Sequence, residues 1–147
     1  MVVRVRIRGF NRVELIVRPD QIESARAQFN ELLGLNLPVP HEVSGGRALS
    51  ATDFGGFIEL VAPIDPRMPL TRTLVEHGPG QIGPLVWEVE DLDEARRWLD
   101  QRGLRVAFEY DSRSGNEEER RAAVRQLVLD KDQWFGFTVT LMQRFSD

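Results

Sequence analysis

The feature that most constrains the fold is a strand-helix order that occurs twice. The segment "RVELIV" (12–17) alternates as a half-buried strand does, and "RPDQIESARAQFNELLGL" follows it with apolar residues at helical spacing. The segments "PLVWEVE" (84–90) and "DLDEARRWLDQRG" (91–103) repeat that order. Such a repeat favours two similar modules within one chain.

The two predicted helices also match in their residue types. The first carries apolar residues on one face: Ile22, Ala25, Phe29, Leu32 and Leu33. The second repeats the first three at the same spacings: Leu92, Ala95 and Leu99. Each helix starts with a D-x-x-E pattern typical of a capping box, and each ends at a glycine, Gly34 or Gly103. Chance similarity of two amphipathic helices is the alternative.

The remaining segments complete each module with strands. The segments "RALSATDF" and "GFIELVAP" indicate a hairpin that turns at Gly55-Gly56, and "LNLPVPHEVSGG" indicates a loop. The later strands are "LRVAFEY", "RQLVLD" and "WFGFTVTLMQ", with a charged excursion or short helix over residues 111–124. We therefore predict an α+β fold of two tandem βαβββ modules, about 8–63 and 82–143, joined by a linker at 64–81 within one domain, 1–147.

Composition limits the possible partners. The chain has 147 residues and 41% hydrophobic content, which suits one compact domain. Its 19 Lys+Arg and 23 Asp+Glu are interspersed, which disfavours nucleic-acid binding. No apolar run reaches the ~18 residues of a membrane span, so we expect no membrane partner. The absence of cysteine excludes thiolate chemistry, and we expect a cytoplasmic protein. The segment "VVRVRIR" (2–8) predicts an edge strand through which a homodimer forms.

Several motifs resemble a known superfamily. Besides the doubled plan, they are "LLGL" (32–35) and "IELVAPIDPRMPLTRTLVEHGPGQIGPLVWEVEDLDEA" (58–95). Together they resemble the vicinal oxygen chelate (glyoxalase/bleomycin resistance/dioxygenase) superfamily, and methylmalonyl-CoA epimerases most, over about Phe10 to Met142. The resemblance implies that two curved sheets form a cup that binds a small molecule.

Family members typically hold a divalent metal in that cup through His near the start of each module and Glu, Gln or His on the fourth strands. The resemblance places four residues of this chain at those positions: Arg12, Glu59, Pro84 and Thr140. Only Glu59 offers a suitable metal donor, because Arg12 is cationic, Pro84 has no donor and Thr140 is a neutral hydroxyl. We expect the chain to use no metal and no cofactor.

Strand alternation predicts which side chains line the cup. If Arg12 faces inward, Glu14 does so too, while Leu15 and Val17 pack against the helices. We assign catalysis to Glu14 and Glu59, since burial raises a carboxylate pKa and lets the group act as an acid or base. The predicted substrate-binding residues are Arg12, Val86, Glu88, Trp134, Thr138 and Thr140. The alternatives are a structural ion pair for the charged cluster and a solvated position near the rim for Glu88.

These residues predict a metal-independent enzyme that acts on a small organic molecule by carboxylate acid/base chemistry, as an isomerase, lyase, hydrolase or cyclase. The alternative is a non-catalytic protein that binds or sequesters a small molecule. A third hypothesis, implied by the resemblance, is an epimerase of acyl-CoA thioesters, which would have to work without the metal that steadies an enolate.

Overall fold

The computed structural model describes residues 4–145. The chain divides into two compact units. One comprises residues 12–83, and the other combines the residues up to 11 with those from 84 onwards.

The unit of residues 12–83 contains the first module and a connecting helix. Its elements are β1 (Ile7–Ile16, which enters the unit at Arg12), α1 (Ile22–Leu33), β2 (His41–Val43), β3 (Ala48–Asp53), β4 (Ile58–Pro63) and α2 (Pro69–His77). The strand order is β2-β3-β4-β1. Strands β1 and β4 are parallel, and the other neighbours are antiparallel.

The second unit repeats this plan. Its elements are β5 (Gln81–Val89, which enters the unit at Pro84), α3 (Leu92–Gln101), β6 (Val106–Asp111), α4 (Glu117–Ala122), β7 (Val124–Leu129) and β8 (Val139–Arg144). The strand order is β5-β8-β7-β6, with β5 and β8 parallel. Each unit thus joins its first strand in parallel to its fourth, which confirms the predicted α+β fold of two βαβββ modules.

Three strand predictions were wrong in their limits. Strand β2 lies inside the predicted loop, where three residues are too few to show alternation. Strand β1 begins at Ile7, so residues 4–6 of the predicted edge strand are not in it, and residues 2–3 lie outside the described residues. Strand β8 begins at Val139 rather than Trp134, because a 3-10 helix at 131–133 and a turn at 134–136 precede it.

The two matched helices differ in how well the sequence predicted them. In α3, Asp91 accepts hydrogen bonds from the N–H groups of Asp93 and Glu94, and the predicted face of Leu92, Ala95 and Leu99 is buried. In α1, the N-cap is Gln21 and makes no side-chain cap, so the predicted capping box is wrong. Leu32 and Leu33 are 83% and 56% exposed, so the buried face of α1 ends before them.

In the unit of residues 12–83, the two faces of β1 pack against different helices. Leu15 and Val17 pack with Ile22, Ala25 and Phe29 of α1, as predicted. Ile16 is fully buried in a separate cluster that includes Leu70 and Leu74 of α2. The face of β1 that carries Arg12, Glu14 and Ile16 is therefore the one turned away from α1. Within residues 4–145, no helix is both long and apolar enough to cross a membrane.

Candidate functional site

Arg12, Glu14 and Glu59 lie together within one unit. Strands β1 and β4 are parallel neighbours, and their register sets Glu14 opposite Glu59. Arg12 precedes Glu14 by two residues, so both side chains stand on the same face of β1. The sequence therefore brings one guanidinium and two carboxylates to one patch of sheet.

The three charged side chains are joined by hydrogen bonds. Arg12 donates from Nε to Glu59 Oε1 at 2.5 Å and from Nη2 to Glu14 Oε2 at 3.2 Å. Ser50 on β3 donates from Oγ to Glu59 Oε2 at 3.0 Å. Sequence reasoning missed Ser50, although the alternation of "RALSATDF" places Ser50 and Thr52 on one face of β3, where their hydroxyl oxygens lie 3.4 Å apart.

The cluster is buried and holds more negative than positive charge. Arg12, Glu14 and Glu59 are 6%, 7% and 7% exposed. Burial raises the pKa of Glu14 to about 8, the neighbouring charge of Glu59 adds to the rise, and Arg12 opposes it. Burial by itself would lower the pKa of Arg12, but the two carboxylates outweigh it and raise that pKa. Glu14 is therefore suited to hold and exchange a proton near neutral pH.

An exposed aromatic side chain lies beside the cluster. The guanidinium carbon of Arg12 is 6.0 Å from the ring centroid of Phe54, which is 57% exposed. Phe54 begins the turn between β3 and β4, and Phe57 ends that turn in a left-handed conformation with φ of 61°. The turn thus sets apolar surface next to the cationic end of the cluster.

In the other unit, Val86 and Thr140 lie opposite each other on β5 and β8. By the internal repeat they correspond to Glu14 and Glu59, which face each other on β1 and β4. Both are fully buried, and Thr140 Oγ1 has no hydrogen-bond partner among residues 4–145. The second module therefore carries an apolar side chain and a neutral hydroxyl where the first carries two carboxylates.

Glu88 is buried, so the alternative that it occupies a solvated position near the rim is wrong. It is 8% exposed, and Arg144 donates to its two oxygens from Nε at 3.1 Å and from Nη2 at 2.8 Å. No sequence pattern indicated this pair, because Arg144 follows the predicted final strand.

The last two predicted binding residues lie before β8. Thr138 is half-buried, and its carbonyl accepts the N–H of Leu85. Trp134 packs against the core cluster of α3, β7 and β8, and its Nε1 has no partner in the described part of the chain. Substrate binding by these residues stays a prediction.

The residues that the resemblance places at the family's metal positions do not fit a divalent cation. The guanidinium of Arg12 binds Glu59, whose oxygens would otherwise be the available donors. Pro84 lies in β5 and brings no donor, and Thr140 brings a neutral hydroxyl. Across residues 4–145, no three His, Asp or Glu side chains are grouped so that they could hold a metal.

Comparison with known families establishes the family of the chain. The sequence model of the Glyoxalase/Bleomycin resistance protein/Dioxygenase superfamily matches residues 11–124. The chain belongs to this superfamily. The match runs from within β1 to the first residue of β7, and it confirms the resemblance stated from the sequence. A comparison with curated protein sequences finds no match.

Solved structures of the same superfamily fold are similar along almost the whole chain. Methylmalonyl-CoA epimerase from Mycobacterium tuberculosis is 22% identical, with a TM-score of 0.78 over 99% of this chain and 94% of the other. The Streptomyces coelicolor methylmalonyl-CoA epimerase in complex with 2-nitronate-propionyl-CoA is 13% identical, with a TM-score of 0.75 over 95% and 99%. A hypothetical protein from Bacillus halodurans is 15% identical, with a TM-score of 0.75 over 94% and 95%. At these identities the likeness establishes the fold.

Proposed function

We propose that the chain is an enzyme that moves a proton on a small organic molecule through Glu14, without a metal ion. The observation that supports this most is the buried cluster in which one arginine bridges two carboxylates. Unpaired buried charge is costly, so a core seldom keeps two carboxylates against one cation unless one of them holds a proton.

The contacts divide the roles of the two carboxylates. Both oxygens of Glu59 accept short hydrogen bonds, one from Arg12 and one from Ser50. Among the described residues, Glu14 accepts one longer bond, from Arg12 on Oε2. We therefore assign proton transfer to Glu14. Burial, together with the charge of its positioning partner Glu59, brings the pKa of Glu14 to about 8. The ionised fraction of Glu14 at neutral pH can then take a proton from the substrate, and the protonated form can return one.

The surroundings of the cluster favour a substrate that is partly apolar. Phe54 offers an exposed ring beside Arg12, and a guanidinium stabilises an oxygen that gains negative charge. A carbon acid next to a carbonyl fits this arrangement, since removal of its proton places charge on the carbonyl oxygen. Isomerase and lyase chemistry are the reaction types that begin in this way.

Acyl-CoA epimerisation belongs to the same reaction type. The structurally similar methylmalonyl-CoA epimerases make it a specific candidate, and methylmalonyl-CoA is therefore one of the compounds to test. In a metal-dependent epimerase, the metal stabilises the negative charge that forms on the substrate. In this chain Arg12 would have to stabilise that charge.

The test is solvent proton exchange. Protein dialysed against a chelator is incubated in D₂O with a panel of carbon acids, methylmalonyl-CoA among them, and deuterium uptake is followed by NMR. We expect exchange with the metal-free protein and a loss on the order of 10²–10⁴ in rate for Glu14→Gln. Glu31→Gln is the matched control, because Glu31 is an exposed glutamate of α1.

Three results would contradict the proposal. Exchange that returns only when a divalent ion is added would refute metal independence. Equal rates in Glu14→Gln and wild type would remove the role of Glu14. If a panel member binds tightly but never exchanges, the binding and sequestration hypothesis takes its place.

A further inference from the structure

A cavity lies in the unit that does not contain Glu14. A cavity of about 550 Å³ opens among the residues before and within β1, the start of α3 and the ends of β7 and β8. Four arginines line it: Arg6, Arg8, Arg113 and Arg125. Three carboxylates share the lining: Glu90, Asp91 and Asp93. Which positive groups are available to a ligand therefore depends on which arginines are already paired.

Two of the arginines are neutralised by close carboxylates. Arg6 Nη1 lies 2.8 Å from Glu90 Oε2, and Arg6 also binds Glu94. Arg125 lies 2.7 Å from Asp93 Oδ1 and 2.6 Å from Glu109 Oε1. Glu90 and Asp93 are therefore already paired with arginines.

The remaining acidic side chains are also engaged. Asp91 Oδ1 accepts the N–H groups of Asp93 and Glu94 at the start of α3. Asp111, at the end of β6, holds Arg113 through Nε and Nη2. Each lining carboxylate therefore already has a partner: an arginine for Glu90 and Asp93, and two backbone N–H groups for Asp91.

Arg8 is the lining arginine that has no carboxylate within hydrogen-bond distance among the described residues. Its nearest carboxylate oxygen is Glu88 Oε1 at 3.9 Å, which is beyond hydrogen-bond distance. Arg144 already binds both oxygens of Glu88. The guanidinium of Arg8 makes no hydrogen bond within residues 4–145, and its side chain is 60% exposed. Its five N–H donors are available to a ligand in the cavity.

Gln143 adds a fixed amide donor to the same cavity. Its Oε1 accepts the N–H of Leu92 at 2.8 Å, which fixes which end of the amide carries the NH₂ group. That NH₂ group has no partner among the described residues, and Gln143 lines the cavity. Phe145 lies on the lining too, with the guanidinium of Arg113 stacked 3.9 Å from its ring centroid.

We propose that this cavity binds one oxyanion, a phosphate or a carboxylate, through Arg8 and Gln143, with Phe145 as a wall for an attached apolar or aromatic group. Arginine binds both anions in bidentate geometry, and the amide NH₂ can donate to a further oxygen. Counted over its own lining side chains, four arginines and three carboxylates, the cavity has a formal charge of +1. It therefore suits one anionic group and disfavours polyanions such as nucleic acid.

The test is an NMR titration of uniformly ¹⁵N-labelled full-length protein at low ionic strength. The probes are inorganic phosphate, phenyl phosphate and benzoate, added separately. We expect saturable shifts centred on Arg8, Gln143 and Phe145, and tighter binding of phenyl phosphate than of inorganic phosphate. Binding by phosphates alone or by benzoate alone supports the site and identifies the group it prefers.

Two variants and one control distinguish binding at this cavity from a general effect of surface charge. Arg8→Gln should weaken binding by roughly 10- to 100-fold, the value of a charge-assisted hydrogen bond. Gln143→Glu keeps the oxygen that accepts the Leu92 N–H but replaces the NH₂ group with a second oxygen, and it should weaken binding as strongly. Arg72→Gln removes the same charge from an exposed position in the other unit and should bind as wild type does.

The proposal fails if none of the probes gives saturable shifts at these residues. It fails equally if Arg8→Gln and Arg72→Gln reduce the affinity to the same extent, because the effect would then be one of net charge. The result is independent of Glu14, which belongs to the other unit and which neither variant changes.

Discussion

Replacing Glu14 with glutamine should remove a large part of the pH dependence of stability. Glutamine has nearly the shape of a protonated glutamic acid and does not titrate. Arg12 and Glu59 are the charged groups that face Glu14, and both remain in the variant. The substitution therefore removes the titration while it preserves the packing.

The sign and size of the effect follow from the pKa of Glu14. Burial and the charge of Glu59 raise that pKa from 4.5 to about 8, so the folded state holds this proton more tightly than the unfolded state does. The stabilisation is complete below pH 4.5 and is lost as the pH rises through about 8. A pKa difference of about 1 corresponds to about 1.4 kcal/mol, so the wild type should lose on the order of 5 kcal/mol at most. That is a large fraction of the roughly 5–15 kcal/mol that is typical of a folded domain.

The assay is urea unfolding of wild type and Glu14→Gln at pH values from about 5 to 9. We expect similar unfolding free energies at the acid end and an advantage of several kcal/mol for the variant at the alkaline end. Taking the difference between the two proteins cancels the titrating groups that do not interact with Glu14. Glu31→Gln, on the exposed surface of α1, should follow the wild type throughout. Curves for wild type and Glu14→Gln that stay parallel within about 1 kcal/mol would refute the raised pKa of Glu14.

Three further substitutions, at Arg12, Thr140 and Phe135, test individual contacts and one backbone conformation by urea or thermal unfolding. Arg12→Lys keeps the charge but carries all its donors on one nitrogen, whereas Arg12 reaches the two carboxylates from two nitrogens, Nε and Nη2. It should therefore cost about 3–5 kcal/mol at pH 8, and a cost under about 1 kcal/mol would contradict the bridging role. Thr140→Val removes a buried hydroxyl without a partner in the described residues and should be neutral or stabilising by about 1 kcal/mol, whereas a loss above about 2 kcal/mol would reveal a partner. Phe135→Gly relieves a left-handed φ of 61° at a side chain that is 91% exposed, so it should gain about 1 kcal/mol, and a loss would show that Phe135 packs in solution.

The repeat made the fold predictable from the sequence. Strands and helices with clear periodicity were placed within a few residues, as α3 shows with its buried Leu92, Ala95 and Leu99. The errors fall where the sequence pattern is too short to be distinctive, or where it does not determine which residues tertiary packing buries. Strand β2 is too short to alternate, and the amphipathic pattern of α1 continues to Leu32 and Leu33 although nothing in the described chain buries them.

The candidate site was predictable in part for the same reason. Alternation along β1 fixes the common face of Arg12 and Glu14, but the partner of Glu59 on β3 depends on strand pairing, which sequence period does not determine. Ser50 was missed for that reason. Glu88 shows the same limit, because its partner Arg144 lies on another strand, 56 positions away in the sequence.

The two modules differ at the place where the charged cluster lies, and the difference bears on why the cluster exists. The parallel strand pairs β1–β4 and β5–β8 have the same architecture, yet one sets Glu14 opposite Glu59 and the other sets Val86 opposite Thr140. The Val86 and Thr140 positions are fully buried without any charge, so this sheet architecture is compatible with an uncharged core at the equivalent place. Burying an ion pair is often no more stabilising than burying apolar side chains of similar volume. Stability alone therefore gives no reason for two carboxylates and an arginine in the first module, which is the physical ground for assigning chemistry to Glu14.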